Sequence, residues 1–235
     1  MNQPHPPRRL ARRLTQLYGG LLLYGVSAGL MVRADLGLDP WDVFHQGVSE
    51  RTGVSIGMVV NITGLLVLLL WIPLRQRPGL GTVSNVLLVG FAMDATLALT
   101  PGLDDLAARV PLMLGAVVLN GLATGLYIAA RFGPGPRDGL MTGLHRITGR
   151  SLRLMRTGIE VAVLAVGIVL GGTAGVGTVV YALAIGPLAQ FFLRMCAISG
   201  TRTGMDFDDR RRPGILRVRS RRLDRHPEPS PADAR

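Results

Sequence analysis

Hydrophobic positions fall in long blocks separated by short polar stretches. The blocks are Leu14–Val32, Val54–Leu74, Leu80–Thr100, Val110–Ala130, Leu154–Leu170 and Val176–Cys196. Each approaches the length, about 20 apolar residues, that an α-helix needs to cross a bilayer. The pattern predicts six membrane-crossing helices. The first block is long and has no Ala-x-Ala-like site after it, which favours an uncleaved span over a signal peptide. Trp71 and Pro73 close the second block and place its end at a membrane interface. The chain after Cys196 is rich in Arg, Asp and Pro without periodicity, which predicts a disordered tail.

Between blocks, one polar stretch occurs twice. Leu36–Ser55 reads LGLDPWDVFHQGVSERTGVS, and Phe132–Ser151 reads FGPGPRDGLMTGLHRITGRS. A slide of 96 residues lays Leu23–Asp94 on Leu119–Gln190 without a gap, with about 21 of 72 pairs identical. Identities concentrate at turn-forming positions, including Gly25/Gly121, Gly29/Gly125, Pro40/Pro136, Asp42/Asp138, Gly53/Gly149 and Gly90/Gly186. The chain therefore divides into a basic N-terminus (1–13), a first membrane repeat (14–103), a second (104–196) and a basic tail (197–235).

Three spans per repeat put the second repeat in the membrane the other way up, and the charges agree. With the amino terminus cytoplasmic, the loop at 33–53 lies outside and is slightly acidic. Its counterpart at 131–156 lies inside, and holds Arg131, Arg137, Arg146, Arg150, Arg153 and Arg156 against Asp138 alone. The Arg-rich tail also falls inside, so every loop follows the positive-inside rule. The expected fold is all-α and integral to the membrane: two inverted three-helix repeats, each with a short amphipathic or re-entrant helix.

The repeated stretch carries helix punctuation. Asp39 is a good N-cap and Gly135 an acceptable one; Pro40 and Pro136 suit the first helical position. Asp42 and Asp138 then fall at the third, where a carboxylate either caps free N–H groups or lines a central cavity. Gly53 and Gly149 suit helix stops, and Ser55 and Ser151 suit N-caps for the next spans. Trp41, Phe44 and Val48 share a face in the first copy, as do Leu140, Leu144 and Ile147 in the second.

Composition narrows the chemistry. The net charge of +11 comes from Arg flanking the spans, so it implies the bilayer and its anionic headgroups rather than nucleic acid. One cysteine, Cys196, and four scattered His suggest neither a disulfide nor a metal site, and no cofactor is expected. No nucleophile–base constellation points to an enzyme. Gly171–Gly177 lacks the Lys of a phosphate-binding loop. His45 and His145 read as surface residues of the short helices. Asp94 and Glu160 are the acids inside predicted spans, and intramembrane carboxylates suggest a proton or cation relay. Against that, Glu160 lies one helical turn from Arg156, a natural partner. Gly25, Gly29, Gly121 and Gly125 form duplicated small-residue motifs for close packing, within the chain or at a homodimer seam. Asn61, Asn85 and Asn120 either line a polar path or bond between helices.

Ala34–Gly57 and Gly133–Arg156, taken as an ordered pair, resemble the signatures of YczE/YyaS/YitT-type bacterial membrane proteins, closest to the YczE type. The resemblance covers about residues 14–196 and implies a multi-pass protein of the bacterial plasma membrane. It supplies no functional residues. The leading expectation is a transporter of a small molecule or ion. The alternative is a non-transporting accessory or scaffold for a biosynthetic or export system.

The topology predicts that cysteines placed at Ser49 and Thr142 react with a membrane-impermeant reagent from opposite faces. Labelling of both from one face contradicts the inverted arrangement.

Overall fold

A computed structural model describes residues 7–197. The tail expected at 197–235, apart from its first residue, lies outside the described residues. Eight helices make up the described chain: α1 (Pro7–Ala34), α2 (Pro40–Thr52), α3 (Ile56–Leu70), α4 (Leu80–Leu99), α5 (Leu106–Ala130), α6 (Pro136–Thr148), α7 (Leu152–Leu170) and α8 (Val176–Cys196). No strand occurs among the described residues. α1 starts inside the stretch read as a polar N-terminus, because a helix can run on past the apolar segment that hydropathy marks.

Four helices are long and apolar enough to cross a membrane: Leu10–Ala34 of α1, α4, α5 and α8. A fifth crossing arises if α2 and α3, bent 115° to each other, form one broken span. The shortfall against six has two causes. α3 has 15 residues, a rise of only about 22 Å. α7 is long enough but carries Arg153, Arg156 and Glu160 in its first half.

α1 and α5 form the central pair, with α4 packed on α1 and α8 on α5. Small residues let the backbones approach. A side chain at Gly25 would collide with Ala92 of α4, and one at Gly29 with Thr96. One at Gly121 would meet Leu188 of α8, and one at Gly125 Phe192. All four glycines thus face helices of the same chain, where dispersion rather than expulsion from water holds the helices together.

The backbone repeats itself at an offset of 96. All residues with positive φ among the described residues fall into pairs: Asp35/Arg131, Gly37/Gly133, Gly53/Gly149 and Arg75/Gly171. Long-range bonds pair too. Gly81 N–H donates to Phe132 C=O at 2.9 Å, and Gly177 N–H to Leu36 C=O at 2.7 Å. Arg13 Nε donates to Ala130 C=O at 3.0 Å, and Arg109 Nε to Ala34 C=O at 2.7 Å. Each half thus closes its loop onto the other.

The halves differ in one bulky contact. Trp71, expected at a membrane interface, is buried and donates Nε1–H to Pro136 C=O at 3.1 Å. Its ring lies against Gly139 of α6. At the equivalent place Gly167 of α7 lies against the backbone of Val43 and Phe44 in α2. With no side chain between them, α7 lies close along α2, whereas Trp71 spaces α3 from α6.

Gly25→Leu and Gly121→Leu are expected to cost about 2–3 kcal/mol each through overpacking. Gly115→Leu has open space and serves as the neutral control. Thermal melts of the detergent-solubilised protein measure this; equal effects at all three sites contradict the packing.

Candidate functional site

The site is built where the amino-terminal ends of α2 and α6 meet. In α2, Asp39 caps the helix: its Oδ1 accepts from Trp41 N–H at 2.8 Å and Asp42 N–H at 2.9 Å. Pro40 fills the first helical position, where no N–H is needed. The cap leaves the Asp42 carboxylate for tertiary partners. Its Oδ1 lies 3.0 Å from His45 Nδ1, one turn along the helix. A carboxylate there favours the proton on Nδ1. Asp39, Asp42 and His45 are 3%, 3% and 1% exposed. α2 is therefore enclosed on nearly all sides rather than lying on a membrane surface by its Trp41–Phe44–Val48 face, and His45 is not the surface residue the sequence suggested.

In α6, Gly135 occupies the N-cap without a side-chain bond, and Pro136 the first position. Arg137 follows and reaches across to α2. Its guanidinium lies 3.8 Å from Asp39 Oδ1 and 3.7 Å from Asp42 Oδ1, and stacks over the Trp41 ring at 4.8 Å. Two buried carboxylates near each other need such a cation, since burying unpaired charge is costly. Asp138 turns toward α5 and accepts from Tyr127 O–H at 2.9 Å. The α6 face of Leu140, Leu144 and Ile147 runs from buried Leu140 to exposed Ile147.

Some of these groups border a cleft of about 520 Å³, open mouth included. Its walls include Tyr24 of α1, Asp39 and Trp41, Arg137 and Asp138, Arg156 and Glu160 of α7, and Tyr181 of α8. Arg156 Nε donates to Glu160 Oε1 at 2.9 Å, the pair the helical spacing suggested. Beside the cleft, Tyr181 O–H donates to Asn120 Oδ1 at 3.1 Å, and Asn120 Nδ2 to Ser27 Oγ at 2.8 Å. Among the described residues no group of three or more His, Cys, Asp or Glu is placed to hold a metal.

The structure thus brings together Asp39, Pro40, Asp42, Pro136, Asp138 and Glu160 and leaves Asp94 apart. Asp94 sits near the end of α4, where it accepts from Ser55 O–H at 2.6 Å and Gly57 N–H at 2.8 Å. It caps α3. Asn61 bonds between α3 and α4, accepting from Gly90 N–H at 3.0 Å. Sequence alone does not single out Arg137 or the tyrosines. Arg137 reads there as one more charge in a basic loop. The signal that could have found it is its position, second in a Pro-started helix and adjacent to Asp138.

A family model described as a family of unknown function, DUF6198, matches residues 11–194. The chain belongs to this YczE-type family. An uncharacterized protein of Haemophilus influenzae is 35% identical over 186 residues, covering 79% of this chain and 85% of the relative. The uncharacterized membrane protein YczE of Bacillus subtilis is 31% identical over 189 residues, covering 79% and 87%. The uncharacterized protein YyaS of the same organism is 26% identical over 181 residues, covering 75% and 90%. No solved structure matches. The family, together with the long apolar helices, makes this a multi-pass membrane protein.

Arg137→Gln should destabilise the fold by about 3 kcal/mol, since it strands Asp39 and Asp42 without a cation. Adding Asp42→Asn to that variant should restore part of the loss. A melt in which Arg137→Gln is silent contradicts the central ion pairing.

Proposed function

We propose that this protein is a transporter of a small molecule or ion in the bacterial plasma membrane. It crosses six times as two inverted halves, with both termini in the cytoplasm, and works by alternating access to the cleft between α2 and α6. The observation that carries this reading is the cleft itself. It is polar, and both short helices contribute their amino-terminal residues to it. Broken helices that end at a site between two repeats are the usual way such proteins place polar groups at membrane depth.

Three further observations support the inverted arrangement. The loops before α2 and α6 share backbone geometry yet carry opposite charge balance. Reciprocal bonds join each half to the other's loop. The charges of α7 crowd its first half, near the basic loop, and leave its last turns apolar. Aspartates and glutamate outnumber arginines around the cleft, so a proton or another cation can be held there as well as a neutral solute.

The test is uptake into proteoliposomes of a panel of small organic and inorganic solutes, with and without a proton gradient. A solute should accumulate, and Asp138→Asn and Arg137→Gln should each lower its flux at least about tenfold, as loss of one charged contact in the rate-determining state would. Flux no greater than that of empty vesicles for every solute, with folded protein, would favour the accessory role.

A further inference from the structure

The hydrogen bonds beside the cleft run in one direction. Ser27 has one hydroxyl proton, and it goes to Tyr24 C=O at 2.7 Å. Toward Asn120 that hydroxyl can therefore only accept, and Asn120 offers it Nδ2–H at 2.8 Å. This fixes the amide. Asn120 Oδ1 faces Tyr181 and takes the phenol proton at 3.1 Å. Ser27 and Asn120 are fully buried, so bulk water does not compete for these protons. Tyr24, which also bonds to Tyr181, can then only donate to it. Both phenols are cleft walls, and the Tyr181 oxygen lies in the field of Asp39, Asp42 and Arg137. The chain leaves these oxygens with lone pairs and no proton to offer a ligand. Tyr127 likewise gives its proton to Asp138.

The charges lean the same way. Around the cleft, Asp39, Asp42, Asp138 and Glu160 face only two guanidiniums, Arg137 and Arg156. Each guanidinium is already directed at carboxylates of this chain: Arg137 at Asp39 and Asp42, Arg156 at Glu160. A bound anion would have to draw donors away from those carboxylates, and would enlarge a negative excess that burial already makes costly. A bound cation meets spare acceptors and offsets the excess. Arg137 demonstrates the fit. Its guanidinium lies near two carboxylates and over the Trp41 indole at 4.8 Å, a setting that suits a delocalised organic cation.

We propose that the cleft takes an organic cation bearing N–H donors, a primary ammonium or a guanidinium. Its acceptors are the Tyr181 oxygen and the carboxylates of Asp138 and Glu160, and Trp41, Met141 and Ile159 cover its hydrocarbon part. Tyr181 determines specificity, because its lone pairs select a donor. Asn120 and Ser27 are positioning residues that hold the phenol in that sense. Arg137 stays in place as the tie between α6 and α2. The proposal rests on the transporter reading above for its solute, but binding is measured without transport.

The experiment is calorimetric titration of the purified full chain in detergent with four probes that share one tail: butylammonium, butylguanidinium, butyltrimethylammonium and butyrate. Butylammonium or butylguanidinium should bind at least about tenfold more tightly than butyltrimethylammonium, which has the charge without the N–H groups, and than butyrate. Tyr181→Phe should weaken that binding about tenfold and leave butyltrimethylammonium unchanged. Asn120→Leu returns the Tyr181 proton to the cleft and should weaken it too, although Tyr181 is untouched. Thermal melts establish which variants are folded. Glu160→Gln, on a half-exposed side chain, serves if the buried variants are not, with an expected loss of about threefold. Butyrate or butyltrimethylammonium binding as tightly as butylammonium overturns the proposal. So does the absence of cation binding to folded protein, or an affinity that folded Tyr181→Phe or Glu160→Gln leaves unchanged. Cations that bind but are not carried into vesicles would leave the ligand class standing and remove transport; a carried anion would do the reverse.

Discussion

The arrangement of the cleft depends on one constraint: the first turns of two short helices must meet inside an apolar protein. The helix starts bring free N–H groups, and the sequence adds carboxylates. Asp39 satisfies two N–H groups of α2, which frees Asp42 for His45 and Arg137. Arg137 then lies between the carboxylates of α2 while anchored on α6. A guanidinium suits this place. It stays charged, presents several donors and stacks on Trp41. Without it, two buried acids would face each other.

Glycines set how closely the surrounding helices can approach this centre. Gly25 and Gly29 admit α4 against α1, and Gly121 and Gly125 admit α8 against α5. The exchange of Trp71–Gly139 for Gly167–Val43 makes the halves unequal. It spaces α3 from α6 and lets α7 lie along α2.

Much of this is legible in the sequence because the signals are local. Pro40, Pro136, Gly53, Gly149, Ser55 and Ser151 act through their own backbone neighbours, so the short-helix ends can be read directly. The membrane blocks are legible because hydrocarbon imposes length and polarity on any span. The features that escape are long-range. Arg137 reads as a loop charge because its partners are almost a hundred residues away. His45 reads as a surface residue and Trp71 as an interfacial one because burial of an imidazole or an indole depends on what packs around it. The partners of Asp94 escape as well, because a span sequence does not reveal that Ser55 and Gly57 of a neighbouring helix bond to it. α3 falls short because the helix stops at Leu70 and the apolar run Val54–Leu74 finishes in a turn.

The proposed transport requires that water reach the cleft between the two short helices from one face of the membrane. The most direct measurement of this is reaction of Met141→Cys, a cleft wall on α6, with a membrane-impermeant thiol reagent in sided vesicles lacking Cys196. The account predicts labelling from the cytoplasmic face. No labelling from the cytoplasmic face would contradict it.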